Sequence, residues 1–198
     1  MNRHDGYRSM EPQILPVKDR QAFREWLAEN HDTASECWVV VKRGRPDDSG
    51  TFWYLDAVEE AICFGWIDST LSIVDGVRAQ RFSPRRKGSH WSELNKERAR
   101  RLEKLGLMTD AGRNVLPAMG PRSFRMDDEI RDVLKERRIW ARFMAFPSLY
   151  RRVRVSNLVF LRIVTPAAYP KALEHFLEET EKGRMYGQWD DYGRLSGH

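Results

Sequence analysis

The sequence predicts an α+β protein with a small antiparallel sheet of about three strands, a helix-rich remainder and an all-helical C-terminal half. Strand-like runs occur in the first half, at residues 37–41, 71–74 and 77–82. The dipeptide Asp75-Gly76 stands between the last two of these runs. After residue 90, apolar side chains recur at the spacing of one helix face, which predicts helices up to about Lys182.

The first half alternates between helices and strands. Asp19 is a typical N-cap residue and predicts a helix that runs to about Asn30. The β-branched run at residues 37–41 predicts the first strand, and residues 43–51 contain the Gly, Pro, Asp and Ser of a loop. Apolar residues then return at helical spacing over residues 58–66, which predicts a second helix.

The Asp75-Gly76 pair predicts a tight hairpin. An Asp-Gly dipeptide between strand-like runs favours a type I′ turn, because that turn needs positive φ at both central residues. The hairpin and the first strand together form the predicted sheet. The expected register pairs Val74 with Val77, Ser72 with Ala79, and Thr70 with Arg81.

The second half contains a series of helix-start signals. Residues whose side chains can accept a hydrogen bond from the first helical turn precede the apolar-periodic segments. The predicted helices follow Ser92, Thr109, Asp127, Ser148 and Thr165, and the last one ends near Lys182.

These patterns divide the chain into four segments. Residues 1–14 are predicted to be a loose leader, residues 15–125 the α+β core, and residues 126–184 a helical C-terminal subdomain. Residues 185–198 form an aromatic tail. We expect this tail to dock on the body of the chain or on a second subunit, which would give a homodimer.

The composition is that of a folded cytoplasmic protein. Apolar residues make up 41% and charged residues 32% of the chain, and no apolar run reaches the roughly 20 residues that a membrane span needs. The N-terminal residues lack the apolar region of a secretory signal, so cytoplasmic residence is expected. The two cysteines, Cys37 and Cys63, are expected to be reduced, and the scattered histidines predict no metal site; no cofactor is expected.

The net charge of +5 is concentrated in one stretch. Residues 78–104 contain ten Lys and Arg against three Asp and Glu, a net of +7, so the rest of the chain sums to −2. This excess indicates an anionic partner, which would be a nucleic acid, an anionic small molecule or an acidic protein. The alternative is a solvated helix face whose cations pair with acidic side chains elsewhere in the chain.

The basic stretch contains a candidate anion-binding site. Arginine forks match the oxygens of phosphate and carboxylate groups, and the free N–H groups at a helix start attract anions. The predicted site residues are Arg81, Arg85, Arg86, Lys87, Ser89, Trp91, Ser92 and Asn95. In the alternative interpretation the arginines pair with Glu59, Glu60 and Asp68 of the same chain.

A candidate cleft lies beside that loop and contains Glu60, Cys63, Trp66, Asp68 and Gln80. Glu60 and Cys63 are adjacent on one helix face, where a base beside a thiol could make a nucleophile. Buried cysteines more often serve as small apolar residues. A buried carboxylate paired with Arg81 or Arg85 is the other interpretation, and no catalytic residue is assigned.

A further basic segment, Tyr150-Arg151-Arg152-Val153-Arg154, lies on a predicted helix. It could extend the basic surface, and a solvated face is the alternative that we favour.

Three sequence blocks resemble a known family. They are EEAICFGWID at residues 59–68, QRFSPRRK at 80–87 and SHWSELNK at 89–96. Over about residues 20–120 the chain resembles the YdeI/OmpD-associated family, also described as bacteriocin-protection-like proteins. The resemblance implies bacterial tolerance of cationic antimicrobial peptides and association with an outer-membrane porin, and it supplies no catalytic residues. It fades after Asn157, where the family usually continues with a basic helix.

The sequence therefore supports three functional hypotheses. The first, which we favour, is a non-enzymatic bacterial protein of the antimicrobial-stress type that binds an anionic ligand or an acidic partner through the basic loop. The second is an enzyme acting on an anionic small molecule, with Glu60 or Asp68 as general base. The third is nucleic-acid binding through residues 78–104, which would weaken steeply as salt rises.

Overall fold

The computed structural model describes residues 13–120 and 122–196. They divide into two compact units, the first ending at Arg85 and the second beginning at Arg86. The predicted leader, residues 1–14, lies outside the described residues except for its last two positions. The predicted boundary after residue 125 falls later than this division, because the helix that follows Ser92 packs on the helix at residues 148–164.

The first unit contains a three-stranded antiparallel sheet in which the hairpin's second strand is central. Its elements are α1 (Arg20–Asn30), β1 (Cys37–Val39), α2 (Tyr54–Cys63), β2 (Trp66–Val74) and β3 (Val77–Pro84). Asp19 caps α1 as predicted, since its side chain accepts a hydrogen bond from the backbone N–H of Ala22. The strand order β1-β3-β2 and the helices of the second unit confirm the predicted α+β class.

The hairpin turns at Asp75 and Gly76, whose φ angles of 50° and 77° are those that a type I′ turn needs. The two predicted strand pairs nearest to the turn are present. The third, Thr70 with Arg81, falls within a β-bulge between Asp68 and Leu71, where Ser69 and Thr70 of β2 both lie opposite Arg81.

Helix α2 lies at the centre of the first unit. All of its residues from Leu55 to Cys63 are buried, although the apolar spacing predicted only one inward face. Helix α1 packs on α2, and Phe23 of α1 lies 5.5 Å from Phe82 of β3 between ring centroids. The carboxylates of α2 are therefore enclosed by protein, which is stable only if they find charged or hydrogen-bonding partners.

The second unit contains helices, and its described residues form no strand. The helices are α3 (Glu93–Lys104), α4 (Asp110–Asn114), α5 (Asp128–Glu136), α6 (Trp140–Ala145), α7 (Ser148–Val164) and α8 (Tyr169–Glu181). The predicted caps Ser92, Thr109 and Asp127 are confirmed, since each side chain accepts a backbone N–H of the first turn. Within the described ranges, no helix combines the length and the apolar character needed to cross a membrane.

The core of the second unit joins α5, α6, α7 and α8. It includes Ile130, Leu134, Phe143, Leu158 and Phe176. Phe143 and Phe176 meet edge to face with ring centroids 5.8 Å apart, which fixes α6 against α8.

The aromatic tail packs on this unit in cis. Trp189 lies edge to face with Tyr150 of α7 at 5.7 Å between ring centroids. Asp191 accepts two hydrogen bonds from the guanidinium of Arg98 on α3, at 2.6 and 2.7 Å. The homodimer through the tail stays a prediction.

Candidate functional site

Arg81, the first residue of the predicted anion site, is committed to a carboxylate of the chain. Its Nε and Nη2 donate to one oxygen of Glu36 at 2.9 and 2.6 Å, and its Nη1 donates to the hydroxyl of Ser69 at 3.1 Å. The Arg81 guanidinium holds the pKa of Glu36 below its ordinary value. An anionic ligand would have to displace Glu36 before it could use Arg81.

Arg85 is buried. Only 5% of its surface is exposed, and its backbone N–H donates to the carbonyl of Gly65 at 2.8 Å. Burial lowers the pKa of Arg85 to about 10, and the negative charge of Asp68 offsets part of that effect. Asp68 in turn accepts a hydrogen bond from the Tyr54 hydroxyl at 2.5 Å. Arg85 therefore does not offer its guanidinium to solvent as the anion site required.

Glu60 belongs to a buried group of opposite charges that we call the buried charge cluster, which comprises Arg20, Arg24, Asp56, Glu59 and Glu60. Glu59 and Glu60 are 0% and 1% exposed. Arg20 reaches Glu59 at 2.9 Å and Glu60 at 2.5 Å, and Arg24 reaches the other oxygen of Glu60 at 2.6 Å. The predicted pairing of Glu60 with the hairpin arginines is wrong, because α1 lies directly on α2 and supplies the cations.

The carboxylate of Glu60 is already engaged by arginine side chains of the buried charge cluster. Both oxygens of Glu60 already accept hydrogen bonds from arginine, so a general-base role would require an ion pair to break. Burial opposes the charge of Arg20, but the charges of Glu60 and Glu59 raise its pKa above the ordinary value.

Cys63 is protonated at neutral pH. Burial, reinforced by the charge of Glu60, raises the pKa of its thiol to about 12. Cys37 is buried as well, and its pKa is raised to about 12 for the same main reason. Neither cysteine forms a disulfide, as predicted, and neither has the thiolate character that nucleophilic catalysis requires.

The remaining predicted cleft residues are part of the packed interior. Trp66 is 1% exposed, and its indole N–H donates to the carbonyl of His31 at 3.1 Å. Gln80 is equally buried; its amide accepts from Arg43 at 2.8 Å and donates to the carbonyl of Thr70 at 3.2 Å. These contacts satisfy buried polar groups next to the bulge, which is a structural role.

Arg86 and Lys87 belong to an exposed reverse turn, residues 86–89, which we call the basic turn. The backbone N–H of Ser89 donates to the carbonyl of Arg86 at 3.1 Å, and Gly88 has a φ of 77°, as in a type II turn. Both cationic side chains are exposed, and no carboxylate in the described part of the chain pairs with either. Of the predicted anion-site arginines and lysines, these two are available to a partner.

The residues after the basic turn cap and pack the start of α3. Trp91 is 6% exposed. The Ser92 hydroxyl accepts the backbone N–H of Asn95 at 3.2 Å, and the side-chain oxygen of Asn95 accepts a hydrogen bond from Arg98 at 2.7 Å. The cap already occupies one of the N–H groups that the predicted anion site would have used.

Internal ion pairs engage several cations of the basic stretch at residues 78–104. Three cations of α3 take part in the pairs Lys96–Glu93, Arg98–Asp191 and Arg100–Glu97, at 2.6 to 2.7 Å. Glu36 and Asp191, which pair with Arg81 and Arg98, lie 45 and 93 residues away from them in sequence. The sequence offers no local signal for such partners. Glu36 and Asp191 offset two of the seven net positive charges, because Glu93 and Glu97 lie within the stretch and are already counted in its net charge.

The segment at residues 150–154 is not the solvated face that we favoured. Tyr150 and Arg154 are 0% and 9% exposed, and the guanidinium of Arg154 lies 4.7 Å from the ring centroid of Tyr186. Arg152 pairs with Glu93 at 3.0 Å and with Glu97 at 2.9 Å. The aromatic tail covers this face of α7, which the helical spacing alone does not reveal.

Sequence reasoning also missed a group of clefts in the second unit that share Phe124 as a lining residue. One of them has a volume of about 430 Å³ and is named the Arg151 cleft. Its lining comprises apolar Phe124, Met126, Trp140, Phe143 and Met144, together with Ser148, Arg151 and Arg152.

Nothing in the described ranges has the arrangement of a metal centre, since no group of three or more His, Cys, Asp or Glu side chains could hold an ion there.

Comparison with known proteins gives one match. A family model described as "Domain of unknown function (DUF8412)" matches residues 15–115. No curated protein and no solved structure matches the chain. The matched range contains the three blocks behind the resemblance to YdeI/OmpD-associated proteins, and the description of the family states no activity.

Proposed function

We propose that this chain, which belongs to the DUF8412 family of domains of unknown function, is a non-enzymatic protein that binds an acidic partner through the basic turn. One observation carries the proposal: Arg86 and Lys87 are exposed and have no ion-pair partner among the described residues, whereas Arg81 pairs with Glu36 and Arg85 is buried. The site predicted from the sequence is thereby narrowed to its two exposed cations.

The shape of the basic turn favours a protein partner over a small molecule. A reverse turn exposes its central side chains to solvent, whereas small-molecule sites are concave and enclose most of the ligand. Exposed ion pairs contribute about 0.2–1 kcal/mol each, so two cations support weak binding that salt screens. An acidic surface segment of another protein has the matching chemistry.

Nucleic-acid binding is less well supported. Affinity for a polyphosphate backbone grows with the number of phosphates that Lys and Arg neutralise. The α3 cations Lys96, Arg98 and Arg100 are paired with carboxylates, which interrupts the positive stripe that the sequence predicted.

No observation favours the enzyme hypothesis. Glu60 is held by two arginines, the thiol of Cys63 is protonated, and Asp68 accepts a hydrogen bond from a tyrosine next to a buried arginine.

The biological setting belongs to the proposal. We place the protein in the cytoplasm, which suits two cysteines that form no disulfide. From the resemblance to bacteriocin-protection-like proteins, we propose that the protein contributes to tolerance of cationic antimicrobial peptides. Because the turn is itself cationic, it would repel such peptides, so its partner would be an acidic protein of the cell.

The test compares two double variants of equal charge. Arg86→Ala/Lys87→Ala removes the basic turn, and Arg45→Ala/Lys171→Ala removes two exposed cations elsewhere; each lowers the net charge from +5 to +3. Binding of a fluorescent oligoglutamate peptide is followed by anisotropy at low salt. We expect the first variant to weaken binding about fivefold, from roughly 1 kcal/mol of lost ion pairing, and the control to stay within about twofold.

Equal effects of the two variants would show that only net charge matters and would overturn the proposal. A single-stranded oligonucleotide of the same charge is titrated in parallel. If the oligonucleotide binds more tightly than oligoglutamate, and Arg86→Ala/Lys87→Ala abolishes that binding, the partner of the basic turn is a nucleic acid and not an acidic protein.

A further inference from the structure

We infer that the Arg151 cleft is a binding site for a small apolar carboxylate, with Arg151 as the residue that binds the carboxylate group. The cleft and the basic turn share no residue, and the inference does not depend on the proposed function.

The size and walls of the cleft suit a small organic molecule. Its volume of about 430 Å³ falls within the roughly 300–1,000 Å³ of small-molecule sites. Phe124 and Met126 precede α5, and Trp140, Phe143 and Met144 belong to α6. Aromatic rings and methionine side chains pack well against flat or flexible apolar groups, so the body of the ligand should be apolar.

The polar end of the cleft contains two arginines that differ in their ion-pair partners. Arg152 is fully engaged, since one nitrogen lies 3.0 Å from Glu93 and another 2.9 Å from Glu97. For Arg151, no carboxylate of the described residues lies within ion-pair distance. Its Nη1 lies 2.9 Å from the sulfur of Met144, and its Nε is enclosed without a hydrogen-bond partner.

The protein acceptor that contacts the Arg151 guanidinium is a thioether, which is a weak acceptor. The guanidinium therefore has hydrogen-bonding capacity left for a ligand. A carboxylate in the cleft would supply the missing charge and could accept two parallel N–H bonds from the guanidinium fork.

The start of α7 adds to the positive potential at this end. Ser148 lines the cleft and is the first residue of α7, and Pro147 before it provides no side-chain cap. The first N–H groups of this helix therefore lack the side-chain acceptor that α1, α3 and α5 have.

The charge balance defines the head group of the ligand. One guanidinium without a carboxylate partner and one hydroxyl match a single negative charge. A phosphate ester carries more charge and would call for further cations. The ligand class is therefore an aromatic or medium-chain aliphatic monocarboxylate.

The probes are 2-naphthoate and octanoate, with 2-naphthamide as the neutral match of the first. Isothermal titration with the full chain compares wild type, Arg151→Met and Arg142→Met; the last removes an exposed arginine of the neighbouring helix α6. We expect wild type to bind 2-naphthoate at least about tenfold more tightly than 2-naphthamide, which corresponds to about 1.4 kcal/mol. Arg151→Met should lose this preference, and Arg142→Met should keep it.

The comparison of acid and amide on wild type tests the carboxylate even if Arg151→Met fails to fold. Equal binding of the acid and the amide would show a purely apolar docking surface and overturn the inference. Failure of both 2-naphthoate and octanoate to bind would overturn it as well. The Arg86→Ala/Lys87→Ala variant should bind 2-naphthoate as wild type does, which separates this result from that of the basic turn.

Discussion

Replacing Arg20 with methionine should destabilise the first unit, because this side chain is shared by three buried carboxylates. Its guanidinium lies 3.5 Å from Asp56, 2.9 Å from Glu59 and 2.5 Å from Glu60. Two arginines face three carboxylates in the buried charge cluster, a formal charge of −1; without Arg20 it becomes −2. Methionine keeps the apolar stem, so the variant tests the charge.

The magnitude follows from burial. Removing one partner of a buried ion pair costs about 3–5 kcal/mol, because the other charge is left uncompensated. The Arg20 side chain is 34% exposed, so solvent screens part of the interaction. We therefore expect the free energy of unfolding to fall by about 2–3 kcal/mol, measured by urea unfolding with far-ultraviolet circular dichroism.

A double-mutant cycle with Glu59→Gln isolates the ion pair. Glu59→Gln removes the charge of one carboxylate that pairs with Arg20. The double variant should therefore lose less stability than the sum of the two single losses, by about 1 kcal/mol or more. The surface control Arg45→Met should stay within about 0.5 kcal/mol of wild type. Effects of Arg20→Met and Glu59→Gln that simply add would refute the reasoning.

Two further predictions concern the first unit. The Cys63 thiol should resist iodoacetamide in the folded protein and react after unfolding, because burial raises its pKa; rapid native modification, read by mass spectrometry, would contradict this. The raised pKa of Cys63 favours the folded state only while the thiol is protonated. The free energy of unfolding should therefore fall as pH rises from 9.0 towards about 12, and the fall should be smaller in Cys63→Ala. Gly76→Val should lower the free energy of unfolding by about 1–2 kcal/mol, because the φ of 77° at this position disfavours a β-branched side chain. The melting temperature should fall accordingly, and an unchanged melting temperature would count against the type I′ turn.

The parts of the fold that the sequence predicted depend on short-range determinants. The caps Asp19, Ser92 and Asp127 accept hydrogen bonds from residues three positions ahead, and the Asp75-Gly76 turn needs only its own backbone angles. The bulge after Asp68 escaped prediction because an extra residue in one strand is defined only by its partner strand.

The candidate site was predicted less well because its electrostatics depend on residues far apart in the chain. Arg81 was expected to face solvent, but its guanidinium pairs with Glu36, which lies 45 residues away in sequence. Arg20 and Glu60, which form the buried charge cluster with others, are 40 residues apart. The walls of the Arg151 cleft come from a loop and from two helices, so no single motif marks it.

A titration of the isotope-labelled protein with oligoglutamate, followed by amide chemical shifts, tests most directly whether the basic turn binds an acidic partner. We expect the shifts to change at Lys87, Gly88 and Ser89 and to stay constant in the buried charge cluster. Changes confined to other surfaces, or no changes at low salt, would contradict a binding role for Arg86 and Lys87.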